Sequence, residues 1–194
     1  GNPEYLEYSR GWAEYNQWKG AKSDDKASWK FVYGESDDFV LFGDWQICFQ
    51  TYADLYMLKP EFFKIARARE VMEYQMGTSK EDYWFWVDAL YMVMPVMTKM
   101  YKVTGNSFYL EKLYQYFAYA DSIMYDKEAG LYYRDQKYLY PAHRTSGGKK
   151  DFWARGDGWA LAALTKVLKE IPVDHRSNAE INGFKNHPFA PSFL

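Results

Sequence analysis

The feature that most constrains this chain is a recurrence. Asp44, Asp88 and Asp157 each stand where a helical pattern begins, and each has tryptophan close by: Trp45, then Trp84 and Trp86, then Trp153 and Trp159. The first two aspartates lie 44 residues apart, the length of one helical hairpin, and the third follows 69 residues later, a hairpin plus an insertion. A helical hairpin cannot bury its apolar face alone, so a repeated one stacks, as an open solenoid or as a closed toroid of paired helices. In a toroid the inner helices run parallel and their N-termini meet at one end. That geometry predicts that the three Asp-plus-Trp clusters converge.

The segments between these points read as helix after helix. Asn2-Pro3-Glu4 is an N-cap followed by proline at the first helical position, and it predicts a helix to Lys19. Gly20 to Asp38 is polar and broken, a loop. Trp45, Phe49, Tyr52 and Tyr56 keep helical spacing across Gly43 to Leu58. Pro60 restarts a helix that ends at Gly77, and another runs from Trp86 to Val103, stopping at Gly105 with Pro95 bending it. Asn106 caps a helix over Phe108 to Tyr125. Asp126 to Gly130 is a turn, Leu131 to Asp135 is extended, Tyr140 to Lys150 is loop, and a last helix spans Asp157 to Glu170. The expectation is an all-α chain, one domain over 1–194, with a short extended insertion near 131–140 and an irregular tail over 182–194.

Composition removes several alternatives. With 24 Lys+Arg against 26 Asp+Glu the net charge is −2, which offers no basic field to nucleic acid. A single cysteine, Cys48, excludes an internal disulfide and a cysteine-based zinc cage, and the three histidines (His143, His175, His187) lack metal-ligand spacing, so no metal or cofactor is expected. No apolar run is long enough to span a bilayer, and Gly1-Asn2-Pro3 has no signal-peptide character; cytoplasm and periplasm both stay open. Aromatic residues reach 21%. Most of them are needed for a core, yet tryptophan and tyrosine at this density also suit a wall for stacking sugar rings.

An aspartate at a helix start is ordinarily a cap. Two carboxylates facing each other among indoles would do more: each raises the other's pKa, burial adds in the same direction, and one can hold a proton near neutral pH as a general acid must. Arg155, two residues after Trp153, reads either as a structural ion pair or as a clamp for a carboxylate substrate. Met92, Met94, Met97 and Met100 read as core filling.

Three runs carry a resemblance. Gly43-Asp44-Trp45-Gln46-Ile47-Cys48-Phe49-Gln50-Thr51-Tyr52, Trp84-Phe85-Trp86-Val87-Asp88-Ala89-Leu90 and Phe152-Trp153-Ala154-Arg155-Gly156-Asp157-Gly158-Trp159 resemble signatures of the unsaturated rhamnogalacturonyl hydrolases, glycoside hydrolase family 105, in the family's order. Tyr15 to Lys19 and Gly130 to Asp135 also fit, so the resemblance covers the chain to His175. It implies an (α/α)6 toroid, of which the N-terminal half is present, and removal of a 4,5-unsaturated uronic acid, most readily galacturonyl, from oligosaccharides left by polysaccharide lyases. It makes Asp88 the general acid/base and Asp44 its carboxylate partner, and it places Trp86, Trp153, Arg155 and Trp159 on the sugar pocket. Asp157 departs from the asparagine more usual there. The chemistry so implied is hydration: C4 of the enol ether is protonated, water adds at C5, and the hemiketal opens with loss of the glycosidic bond.

Two other readings stay open beside it. One is the related unsaturated glucuronyl hydrolases; the other is a truncated remnant that binds oligosaccharide weakly or not at all. Half a toroid exposes its edges, and the expected remedy is a second copy of the chain or a separate C-terminal half.

Overall fold

The computed structural model describes residues 2–171 and 187–188. α1 (Pro3–Tyr15) starts as expected, with Asn2 accepting from the Glu4 amide at 2.9 Å and Pro3 at the first position. It ends before Lys19, because Gln17 and Trp18 turn into the left-handed region at φ 55° and 57°. That conformation costs about 1–2 kcal/mol per residue outside glycine. It drives the Trp18 indole inward, to 7% exposure against Tyr52 and Phe63. Burial of a large apolar side chain returns about 1.5–3 kcal/mol, so packing offsets much of the cost.

The polar stretch that follows is a loop, as read, and one buried cation holds it down. Arg67 donates to the carbonyls of Ala21 at 3.2 Å and Ser23 at 2.5 Å, pairs with Glu70 at 2.8 Å, and lies 4.9 Å from the Trp29 ring. The helix predicted over 43–58 is present as α2 (Gly43–Gln46) and α3 (Cys48–Leu58), separated only at Ile47, whose backbone stays helical. α4 (Phe63–Met76) begins later than Pro60 and ends at Gly77.

α5 (Asp88–Thr104) is the central element, packed against α2, α3, α6 and α7. Met94, Met97 and Met100 are fully buried along it, as a core reading requires. Its end is fixed by Gly105, at φ 71°. Pro95 has no N–H for the carbonyl of Tyr91, four residues earlier. The structure supplies a substitute from α3: the Gln50 side-chain amide donates to Tyr91 O and Met92 O, both at 2.9 Å, while Lys166 of α7 donates to Gln50 Oε1 at 3.0 Å. We expect Gln50→Leu to cost about 1–3 kcal/mol, the penalty of leaving a buried acceptor unpaired. In a Pro95→Ala background the helix recovers its own donor, so the cost of Gln50→Leu should shrink. Urea unfolding of the four proteins measures this coupling; equal costs in both backgrounds would contradict it.

α6 (Phe108–Met124) follows, with Asn106 accepting from the Phe108 amide. The extended insertion is shorter than expected: β1 (Tyr125–Asp126) pairs antiparallel with β2 (Leu131–Tyr132), and the chain then makes a short 3-10 turn over Gln136–Tyr138. A single bridge joins Asp135 to Trp86, and Val87 N donates to Arg134 O at 2.9 Å, so this insertion is stitched to the residues leading into α5. α7 (Ala154–Glu170) begins earlier than Asp157. Gly156 lets it approach closely, since a Cβ there would lie 2.5 Å from Val87 Cγ1 and 2.9 Å from the Trp153 ring. At the far end Lys99 binds Asp54 of α3 and Glu170 of α7, tying three helices together.

α1 presents Tyr5, Tyr8 and Tyr15 to solvent, the last at 87% exposure. Of the tail expected to be irregular, only residues 187–188 are described, and there His187 Nε2 meets Asp121 at 2.9 Å. His175 lies outside the described residues. Among the described residues, no helix is long and apolar enough to cross a membrane.

Candidate active site

Helices α2 and α5 pack together, and their first turns carry Asp44 and Asp88. Neither aspartate is a cap. The cap positions are Phe42 and Val87, which make no side-chain cap bond, and each aspartate's carboxyl is met only by its own backbone amide. Both carboxyls line one cavity of about 830 Å³ instead, together with Trp86, Trp153 and Arg155. The cavity wall is aromatic and preset: Trp86 stacks on Phe42 at 4.7 Å and touches Phe85 at 4.6 Å, and the Arg155 guanidinium lies 4.3 Å from the Trp153 ring.

Both carboxyls are held above the ordinary carboxylate range. For Asp88 the cause is burial, opposed by its own backbone amide and by the positive charges of Arg155 and Arg134. For Asp44 the cause is burial and then the charge of Asp88. The Asp44 side chain remains open to cavity water even though protein surrounds it on other sides, so solvent screening keeps its rise modest. Of the mutual raising expected of the pair, one side is seen: the charge of Asp88 is felt at Asp44, whereas Asp88 is raised by burial and the guanidiniums favour its charge.

The third cluster does not join them in the same way. Asp157 turns to the insertion, accepting from Tyr132 N at 2.8 Å, and pins β2 to the start of α7. Trp159 packs on Tyr91 at 4.5 Å and is not among the residues lining the cavity. Helical phase explains the first departure: Asp157, two residues past Arg155, lies about 200° around α7. Trp159, four residues past Arg155, shares its face but sits a turn further along the helix, against Tyr91.

Several cavity residues went unread in the sequence. Arg134, Asp135, Lys137 and Tyr138 come from the insertion, Asp151 from the loop beyond it, and Met92, taken for core, is half-buried at the cavity edge. The match at Gly130 to Asp135 was the available signal, but only the Trp86–Asp135 bridge reveals that this segment borders Asp88. His143, one of the histidines without metal-ligand spacing, pairs with Asp151 at 2.6 Å and packs on Tyr138. Among the described residues no cluster of His, Cys, Asp and Glu is arranged to hold a metal ion.

Comparison with known proteins meets this geometry. The model of Glycosyl Hydrolase Family 88 matches residues 1–187. The chain belongs to this family. Two curated relatives are named unsaturated 3S-rhamnoglycuronyl hydrolase. The one from Formosa agariphila is 32% identical over 59% of this chain and 33% of its own length. The one from Alteromonas is 35% identical over 54% of this chain and 25% of its own length. A solved family 88 glycosyl hydrolase from Bacteroides vulgatus has 65% identity and a TM-score of 0.93, covering 96% of this chain and 53% of that one. A second structure, described as a polysaccharide lyase, has 68% identity and a TM-score of 0.92, covering 96% of this chain and 52% of that one. A family 105 glycoside hydrolase from C. acetobutylicum shares the fold at 20% identity and a TM-score of 0.57, over 76% of this chain and 45% of that one. Among the described residues the family 88 chain is mostly helical, 58% helix, with the hairpins of the toroid fold, and the chain spans about half the length of these structures and less of the curated relatives.

Proposed function

We propose that this chain supplies the catalytic carboxylates of an unsaturated uronyl hydrolase, which removes a 4,5-unsaturated uronic acid from the non-reducing end of lyase-generated oligosaccharides. The observation that carries the reading is that Asp44 and Asp88, both raised in pKa, line one aromatic cavity with Arg155. The relatives' names favour rhamnose as the sugar next to the uronate.

In this reading Asp88 protonates C4 of the enol ether, and the charge that develops at C5 is met by water. Asp88 then accepts a proton from that water, so one group serves both steps. Asp44 is its partner: its presence in the same cavity keeps the negative charge dense and favours retention of a proton between them. Arg155, oriented by Trp153, holds the uronate carboxylate, while Trp86 and Trp153 flank the ring and limit water. No second carboxylate is needed as a nucleophile, in contrast to retaining glycosidases.

The test is consumption of the substrate's double bond. An unsaturated uronyl-rhamnose disaccharide should lose its ultraviolet absorbance and release rhamnose when incubated with the protein. A disaccharide that is bound and left intact would favour the binding-only reading.

A further inference from the structure

The extended segment that includes β2 has an outer edge. Tyr133 N donates to Met124 O across the ribbon at 2.9 Å. Successive amides of an extended chain point to opposite sides, so Tyr132 N and Arg134 O face away from β1. An edge strand leaves such groups free unless another element takes them. Here both are taken, at the heads of two different helices. Asp157, in the first turn of α7, accepts from Tyr132 N at 2.8 Å. Val87, the residue before α5, donates its N–H to Arg134 O at 2.9 Å.

Direct packing closes the figure. A Cβ on Gly156 would lie 2.5 Å from Val87 Cγ1, so the bare Cα is what lets the heads of α7 and α5 meet. The ribbon edge, α5 and α7 are thus joined in a triangle of three contacts. The groups given chemical roles stand immediately beside it: Asp88 follows Val87, and Arg155 precedes Gly156. Asp157 is not among the residues lining the cavity, yet it holds one corner of the frame on which two of them sit. Its contribution is that of an acceptor rather than a charge, since it meets a neutral amide and burial pushes its own carboxyl above the ordinary range. Asparagine offers the same acceptor; alanine offers none.

We propose that Asp157 is a positioning residue: by fastening the ribbon edge to α7, it sets the spacing between Asp88 and Arg155. Its importance for turnover rests on the reading of Asp88 as the general acid/base, whereas the spacing itself can be read without substrate. The charges around Asp88 make that spacing measurable. Asp44 faces it from α2, Arg155 from α7 and Arg134 from the insertion, and Asp135, Lys137 and Asp151 line the same cavity. Arg155 and Arg134 favour the charged form of Asp88. Releasing α7 from the ribbon lets Arg155 move off, and Asp88 then keeps its proton to higher pH.

The experiment titrates the Asp88 carboxyl by carbon NMR, its signal assigned with Asp88→Asn, in the wild type, Asp157→Asn, Asp157→Ala and Gly156→Ala. Turnover of an unsaturated uronyl disaccharide is measured on the same proteins. Asp157→Asn should titrate and turn over as the wild type does. In Asp157→Ala the Asp88 pKa should rise by about half a unit, a part of the about 1–3 units that a close opposite charge supplies. Its turnover should fall about tenfold, within the roughly hundredfold scale of a 1 Å misplacement. Gly156→Ala wedges the same triangle at another corner and should move Asp88 in the same direction, which keeps the test decisive if Asp157→Ala does not fold. An Asp88 titration unchanged in both alanine variants would overturn the proposal. So would an Asp157→Asn shifted as far as Asp157→Ala, which would make the charge and not the bond the active feature. A wild-type protein that leaves the disaccharide intact would overturn the hydrolase reading instead, and the Asp88 titration would still decide the positioning.

Discussion

Asp88→Asn should lower turnover by about a hundredfold or more, the usual scale for loss of a general acid/base, and at neutral pH it should make the protein more stable. The amide keeps the size of the side chain and its place at the head of α5, but it cannot donate an acid proton. The stability effect follows from linkage. Burial raises the Asp88 pKa above 3.8, so the folded state binds this proton more readily than the unfolded state does. Stability contributed by the site is therefore lost as pH rises through the raised pKa, and at neutral pH the folded protein bears the cost of a charge that asparagine lacks. The expected gain is about 0.5–2 kcal/mol, the range typical of relieving a functional site. Below pH 3.8 both states are protonated and the difference between wild type and variant should disappear. Thermal melts across pH, alongside turnover, read both effects. A variant with near wild-type turnover, or one destabilised at neutral pH and not in acid, contradicts the role given to Asp88.

Arg67→Leu should be among the most destabilising single changes in the chain, at about 2–4 kcal/mol, since each buried carbonyl left unpaired costs about 1–3 kcal/mol. The guanidinium serves Ala21 O and Ser23 O while its plane covers Trp29, and leucine restores only the packing. The consequence reaches the cavity through the chain, because the loop it anchors leads to Tyr33 and Phe42, both cavity residues. Urea unfolding gives the magnitude, against a total domain stability of about 5–15 kcal/mol. Limited proteolysis should show earlier cleavage around Lys22, Lys26 and Lys30. A loss below about 1 kcal/mol would mean that water replaces the guanidinium at both carbonyls.

Much of this was legible in the sequence because it is local. Periodicity places the helices, Gly77 and Gly105 end two of them, and an aspartate beside tryptophan marks the heads of α2 and α5. What was not legible depends on contacts between distant residues. Trp18 leaves the helical path for a pocket formed by Tyr52 and Phe63, which no propensity at 15–19 announces. Asp157 has the same sequence setting as Asp44 and Asp88, yet the ribbon amide of Tyr132 takes its carboxylate, so identical local chemistry serves structure in one place and the cavity in two. Arg134 and Lys137 reach the cavity only because the insertion is bridged to Trp86. The Gln50 amide is explained by a proline 45 positions away, a relation visible only once α3 and α5 are side by side.

The central claim, that two carboxyls in one cavity hydrate an unsaturated uronate, has a direct optical test with opposite signs for opposite chemistries. A hydrolase of this kind consumes the double bond, whereas a lyase, the description attached to one similar structure, creates it by elimination. The protein is incubated in parallel with an unsaturated uronyl disaccharide and with the intact uronate-containing polysaccharide, and the ultraviolet absorbance of the double bond is followed. The account predicts a falling signal with the disaccharide, abolished in Asp88→Asn, and a flat signal with the polysaccharide. A rising signal with the polysaccharide and no change with the disaccharide would contradict it.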